Sequence, residues 1–217
     1  MRISDLSRHT GVPVATIKFY LRERLLPPGT PTGRNQATYS DMHLRQLLLI
    51  RAFTNIADLD LSTVRELLDA IDNPALSLPD LYDVTDRALF ADCSASRDPD
   101  GVQQARGDVD QLVGLMGWTV GDDAPGRDRL AVVLAALRRL GCDNKITFFV
   151  PFANAAEGLA EQELDLLPSE CADDDRAAAV IRSVLFGVVL ATIRRLAQEH
   201  VVAQRFGAAQ SAAAQPS

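Results

Sequence analysis

The segment Gly11-Val12-Pro13 most constrains what this chain can become. Glycine suits the left-handed position that ends a helix, and proline suits the first turn of the next, where its missing N–H would be unpaired anyway. The spacing predicts one short helix over 4–10, with Ser4 as its cap, Asp5 favouring its N-terminal dipole, and Ile3 and Leu6 as apolar anchors. A second helix follows from about Val14 to Arg24. Helix, three-residue turn, helix is the spacing of a helix-turn-helix.

At about 100° per residue, Val14, Ile17 and Leu21 fall on one side of the second helix and are expected to face the first. Ala15, Lys18, Phe19 and Arg22 fall on the other side or its flank, with Thr16 and Tyr20 at the edges. A small residue lets a helix sit deep in a major groove, while cations and hydroxyls reach phosphates and base edges. Lys18, Arg22 and Tyr20 are therefore candidate phosphate contacts, and Ala15 and Thr16 candidate base contacts. A solvated charged face is the blander alternative.

Charge distribution supports the nucleic-acid reading although the net charge is −7. Residues 1–55 hold eight basic and three acidic residues, net +5; the remainder holds 14 basic and 26 acidic, net −12. Only the amino-terminal part is suited to a polyanion, and phosphate repels the rest.

Leu25 and Leu26 close the small core, and Pro27-Pro28-Gly29 forbids further helix. Thr30 to Tyr39, with Gly33 and Arg34 in a polar stretch, reads as a short two-stranded wing or as a plain loop. Ser40-Asp41 caps a third helix bearing Leu44, Leu47, Leu48, Arg51 and Ala52 at helical spacing. Leu61 and Ser62 open a fourth, with Val64, Leu67, Leu68 and Ile71 on one face and Asn73-Pro74 as its stop.

The run RISDLSRHTGVPVATIKFYLRERLLPP, the wing, and TYSDMHLRQLLLIRAF together resemble the winged-helix head of the MerR family of transcription regulators. Ile3, Ser4, Leu6, Thr10, Gly11, Val12, Thr16, Ile17, Tyr20, Arg22, Leu25, Leu26 and Pro27 match its pattern, and DLDLSTVRELL resembles its fourth-helix segment G-F-S-L-x-E-I-R-x-L-L. The resemblance covers about residues 1–72. It implies a homodimer on double-stranded promoter DNA, with two recognition helices in major grooves, a distorted promoter spacer, and RNA polymerase at the same promoter. There are departures. Lys18-Phe19-Tyr20-Leu21 replaces Arg-Tyr-Tyr-Glu, so Phe19 lacks a hydroxyl that the family points at phosphate. Arg24 stands where glycine is common. The wing signature Gly-Tyr-Arg-x-Tyr becomes Asn35-Gln36-Ala37-Thr38-Tyr39, leaving Arg34, with Asn35 or Gln36, to substitute for the wing arginine at Ala37.

The expected fold class is mainly α: a winged helix-turn-helix head with a small β-hairpin over 1–72, a linker over 73–79, an all-helical domain over 80–207, and a disordered Ala/Ser/Gln tail over 208–217. Helical segments are expected near 80–92, 101–116, 127–140, 146–166 and 174–206, with only Ile146–Val150 β-like. Sustained heptads of the family's usual dimerisation helix are missing. The last helix is the candidate seam, through Ile181, Val184, Leu185, Val188 and Thr192; a central core helix is the alternative. In this the body is similar to the ligand domains of TetR-type regulators, whose final helices form a dimer interface.

Trp118, Phe148, Phe149, Phe152 and Phe186 carry much of the body's aromatic mass. They are candidate ligand-binding residues for a small apolar effector, or plain core fillers. If no effector exists, the chain is a ligand-free architectural or auxiliary regulator whose body only dimerises. Cys93, Cys142 and Cys171, like His9, His43 and His200, are too scattered for a soft-metal site, so no metal or cofactor is expected and buried cysteine is the simpler role. No Gly-rich phosphate loop, HExxH, nucleophile elbow or paired-carboxylate motif is present, which argues against an enzyme. No apolar h-region follows the first residues, so no signal peptide is expected. The longest uncharged apolar stretch, Ser183 to Ile193, has 11 residues, against about 20 for a membrane span. A cytoplasmic protein with no membrane partner is the expectation.

Overall fold

A computed structural model describes residues 1–33, 36–90, 99–142, 144–167 and 173–213. The chain divides into two compact units, one of residues 1–60 with 181–217 and one of residues 61–180.

In the first unit, α1 (Ile3–Thr10) and α2 (Val14–Arg22) are joined by the expected turn. Gly11 has φ +68° and its N–H donates to the Ser7 carbonyl at 2.8 Å. A Cβ there would lie 3.0 Å from Arg51 Nη1, which donates to the Thr10 carbonyl, so a larger residue would push that guanidinium aside; the positive φ is what favours glycine. Buried Thr10 donates to the Leu6 carbonyl at 2.7 Å and accepts from the Val12 N–H at 3.2 Å. The α1 cap differs from expectation. Asp5, not Ser4, accepts from the Arg2 backbone N–H at 2.9 Å, which holds its carboxyl below the ordinary aspartate range.

The polar stretch is a hairpin: β1 (Thr30–Gly33) pairs antiparallel with β2 (Gln36–Thr38), Thr30 opposite Thr38 and Pro31 opposite Ala37, with an irregularity before Gly33 pairs with Gln36. Arg34 and Asn35 lie outside the described residues. Ser40 then precedes α3 (Asp41–Arg51), which continues through a π-helical turn over Ala52–Ile56. Leu6, Ile17, Leu25, Leu26, Leu47, Ile50 and Phe53 are sealed from solvent in this unit. The inner face of α3 is thus Leu47 and Ile50, running on to Phe53; Leu48 is 48% exposed.

The second unit opens with α4 (Leu61–Ile71) packed on α5 (Leu78–Phe90). Between them, residues 73–77 of the linker expected over 73–79 are a pinned turn, and α5 already begins at Leu78. The buried guanidinium of Arg176 donates to the carbonyls of Ala70 (3.2 Å), Ile71 (3.3 Å), Asn73 (2.7 Å) and Leu76 (2.6 Å). Helices α6 (Pro99–Met116) and α7 (Pro125–Arg139) pack through Ala105, Val109, Leu112, Ala131 and Leu134. Arg127 braces that pair, donating to Asp110 at 2.8 Å and to the Val120 carbonyl at 2.6 Å. The β-like Ile146–Phe149 is a 3-10 turn leading into α8 (Val150–Leu164). Its β-branched and aromatic residues resemble a strand, but Pro151 suits the first turn of a helix and commits them.

Helix α9 (Asp173–Ala213) runs on past Ala208, where a tail is expected; alanine's high helix propensity accounts for the extension. Over residues 175–206 it is long and apolar enough, by length and composition alone, to cross a membrane. The expectation counted only uncharged runs and broke the segment at Arg182. Two arginines, Arg182 with Arg176 or Arg194, do not lower the mean hydropathy of an 18-residue window that far.

Candidate nucleic-acid interface

The local physics of α2 sorts the predicted site residues. Ile17 is fully buried, while Val14 and Leu21 are half-buried. Ala15, Lys18 and Arg22 are exposed, as the periodicity predicts, and Thr16 and Phe19 are half-buried. Arg22 stacks its guanidinium over the Phe19 ring at 5.3 Å and lies 3.6 Å from Glu23. Phe19 thus holds the arginine in position, a role that needs no hydroxyl.

Tyr20 is corrected. It is 8% exposed and belongs to the core, three residues after Ile17 on the same helical face. Burial raises its hydroxyl pKa above the ordinary tyrosine value, so the phenol stays neutral. Its ring packs in the core rather than standing on the exposed face of α2. Half-buried Leu21 also lines a surface groove, together with Ile3 of α1.

That groove has a volume of about 630 Å³ and lies between the start of α1, α2 and the wing. Lys18 and Leu21 form one wall, Gln36, Ala37 and Tyr39 another, and Arg2 closes the end. Gln36 is exposed and Tyr39 half-buried; the Tyr39 ring sits edge-on to His43 at 5.2 Å. At the wing's base, a Cβ on Gly29 would lie 2.8 Å from the Thr38 carbonyl, so only glycine lets the strands meet there. Arg2 was not among the residues the helical pattern pointed to. Its place depends on Met1 and Tyr39, 38 residues apart, which exchange N–H···O bonds of 2.8 Å in both directions. No periodicity signals such a pairing. The one hint was a cation just ahead of the first helix.

The remaining candidates divide. Phe148, Phe149 and Phe152 come together with ring centroids 5.3–5.9 Å apart, but Phe148 and Phe152 are about half exposed, and the crevice beside Phe149 is too tight for a water molecule. Trp118 packs on the α6–α7 core. Phe186 is half-buried on α9, in the other unit. Of the candidate seam, Val184 is buried within the chain itself, Ile181, Leu185 and Val188 are half-buried, and Thr192 is exposed with its hydroxyl donating to the Val188 carbonyl. Large exposed aliphatics lie further along, at Val189, Leu190, Ile193 and Leu196. Cys142 is free and exposed rather than buried, and Cys93 and Cys171 lie outside the described residues.

Residues 1–71 match the family model for MerR HTH family regulatory proteins. The HTH-type transcriptional regulator CueR of Yersinia pestis is 32% identical over 85 residues, 39% of this chain and 60% of that relative. A ZntR homolog of Haemophilus influenzae is 35% identical over 69 residues, 32% of this chain and 50% of that relative. The chain therefore spans only about half to three-fifths of those two curated relatives. The crystal structure of SCO5550, a candidate transcriptional regulator from Streptomyces coelicolor A3(2), superposes with a TM-score of 0.70 at 34% identity, covering 95% of this chain and 98% of that one. These relatives are named as regulators of transcription, not as enzymes.

Proposed function

The chain belongs to the MerR family of transcriptional regulators, and from that premise we propose that it binds promoter DNA as a homodimer, in the cytoplasm, and regulates RNA polymerase there. Residues 1–72 form the DNA-binding module. The observation that carries the reading is the outward face of α2. Ala15 allows close approach to the base edges, while Lys18 and Arg22 present cations that no core contact requires. Thr16, Gln36 and Tyr39 extend the contact surface to the wing.

The second copy docks through α9. A helix that exposes Val189, Leu190, Ile193 and Leu196, each 48% or more, needs a partner for that stripe, and an identical helix supplies one of matching chemistry. Among the described residues, the phenylalanine cluster favours the ligand-free reading of the helical part. The crevice beside Phe149 has no room even for a water molecule, against roughly 300–1,000 Å³ for ordinary ligand sites. The Phe148–Phe149–Phe152 cluster then serves as packing and surface.

The direct test is binding of purified full-length protein to the DNA upstream of its own coding region, followed by footprinting. Two protected half-sites separated by whole helical turns are expected. No retention on any genomic fragment at low ionic strength would overturn the reading.

A further inference from the structure

We propose that Arg2 is a DNA-contact residue, which grips a backbone phosphodiester together with Lys18 across the groove between α2 and the wing. This rests on the DNA-binding reading above and extends it to a residue outside the helix-turn-helix pattern.

Three observations converge. Arg2 and Lys18 lie on different elements yet line one groove, and no acidic residue lines it with them. Both side chains are exposed, and neither makes an ion pair among the described residues. The groove is also open at the position where Ala37 replaces the arginine of the wing signature; a methyl group leaves room there that a guanidinium would fill. Arg2 reaches this room because the Met1–Tyr39 backbone pair ties its segment to the end of the wing. The ligand class follows from the lining. Two cations, the Thr32 hydroxyl and the Gln36 amide can donate to an oxyanion, and a guanidinium can engage two phosphate oxygens at once. Contact here carries no base information. It fixes the register of the wing on the duplex.

The side chain can be tested without unfolding the head, because Arg2 caps α1 through its backbone N–H, which every replacement except proline retains. Salt-dependent anisotropy titrations would compare wild type, Arg2→Ala, Arg2→Lys, Lys18→Ala and Arg2→Ala/Ala37→Arg on specific and random duplexes. Arg2→Ala is expected to weaken both duplexes on the order of tenfold and to lower the log K against log[salt] slope by about one unit. Arg2→Lys should keep the slope, and Ala37→Arg should recover it in the Arg2→Ala background. An unchanged slope for Arg2→Ala beside a reduced one for Lys18→Ala overturns the Arg2 assignment while leaving DNA binding intact. Absent binding by wild type overturns the function instead. Inorganic phosphate, titrated against the protein by NMR, separates the two sources. Saturable millimolar-or-tighter binding that Arg2→Ala abolishes, with no effect of that variant on DNA, would assign the groove to a free oxyanion and refute the phosphodiester.

Discussion

Helices α2 and α9 both present surfaces that their own chain does not use, and the chemistry of those surfaces differs completely. On α2 the exposed positions carry a methyl group and two cations, arranged over nine residues. On α9 they carry valine, leucine and isoleucine, with Arg194, Arg195 and Glu199 among them, along a helix of 41 residues. The first surface is stable in water and gains energy only from a polyanion, through charge and counterion release. The second is costly in water whatever ion is present and gains from any matching apolar face. A short cationic helix therefore suits a nucleic acid, and a long aliphatic one suits the second helix proposed for it.

The comparison can be broken most forcefully on α9. Ile193→Glu combined with Leu196→Glu should convert the proposed dimer to monomer in sedimentation equilibrium. Four desolvated side chains per dimer, at about 1.5–3 kcal/mol each, correspond to a dissociation constant raised on the order of a thousandfold or more. A dimer that survives would place the seam elsewhere and leave the stripe to another partner. If detergent or vesicles retain the wild-type protein instead, the apolar length of residues 175–206 serves a membrane.

At its N-terminal end α9 has a different role, which Arg176→Ala would expose. That substitution leaves four carbonyls without their donor and should cost about 2–4 kcal/mol. A melting temperature lower by roughly 5–15 °C is expected by calorimetry. Arg176→Lys should fare little better, since one ammonium cannot span the same carbonyls. A change of less than 1 °C would mean that water replaces the guanidinium.

On α2, Lys18→Ala with Arg22→Ala should reduce the salt slope of DNA binding by about two units and weaken specific and random duplexes alike. A loss confined to one base position would instead make these residues readers of sequence.

The smallest expected effect concerns two departures from the family pattern. Arg24 and Asp58 both stand where glycine is common, and both have positive φ, 59° and 55°. A left-handed L-residue costs about 1–2 kcal/mol, partly offset by the greater freedom glycine has in the unfolded chain. Arg24→Gly should therefore raise stability by about 0.5 kcal/mol in urea titration, and Asp58→Gly by less, because aspartate tolerates this conformation better. A decrease for Arg24→Gly would show that its side chain contributes a contact larger than the strain.

Much of the head was legible because its signals are local. Gly11 and Pro13 fix a turn, and Ile17, Ala15, Lys18 and Arg22 sort by the helical repeat. The wing was legible in outline but not in register, since Gly33 pairs with Gln36 through an irregularity that a polar stretch does not announce. Tyr20 was misplaced because an edge position on a helical wheel can turn either way, and the neighbouring helices decide which. The helical part was legible as helices, and Pro151 could have been weighed against the β-like residues before it.

The sequence by itself determined the order of elements, the helix-turn-helix and the split between a basic head and an acidic remainder. These follow from backbone stereochemistry and charge, which act over a few residues. Only the tertiary structure decided that Arg2 joins Lys18 in one groove, that Tyr20 turns inward, and that Arg176 reaches back to the carbonyls of a turn about a hundred positions earlier. Each of those depends on segments remote in the chain meeting in space, and loop closure over such distances leaves no periodic trace in the residues between.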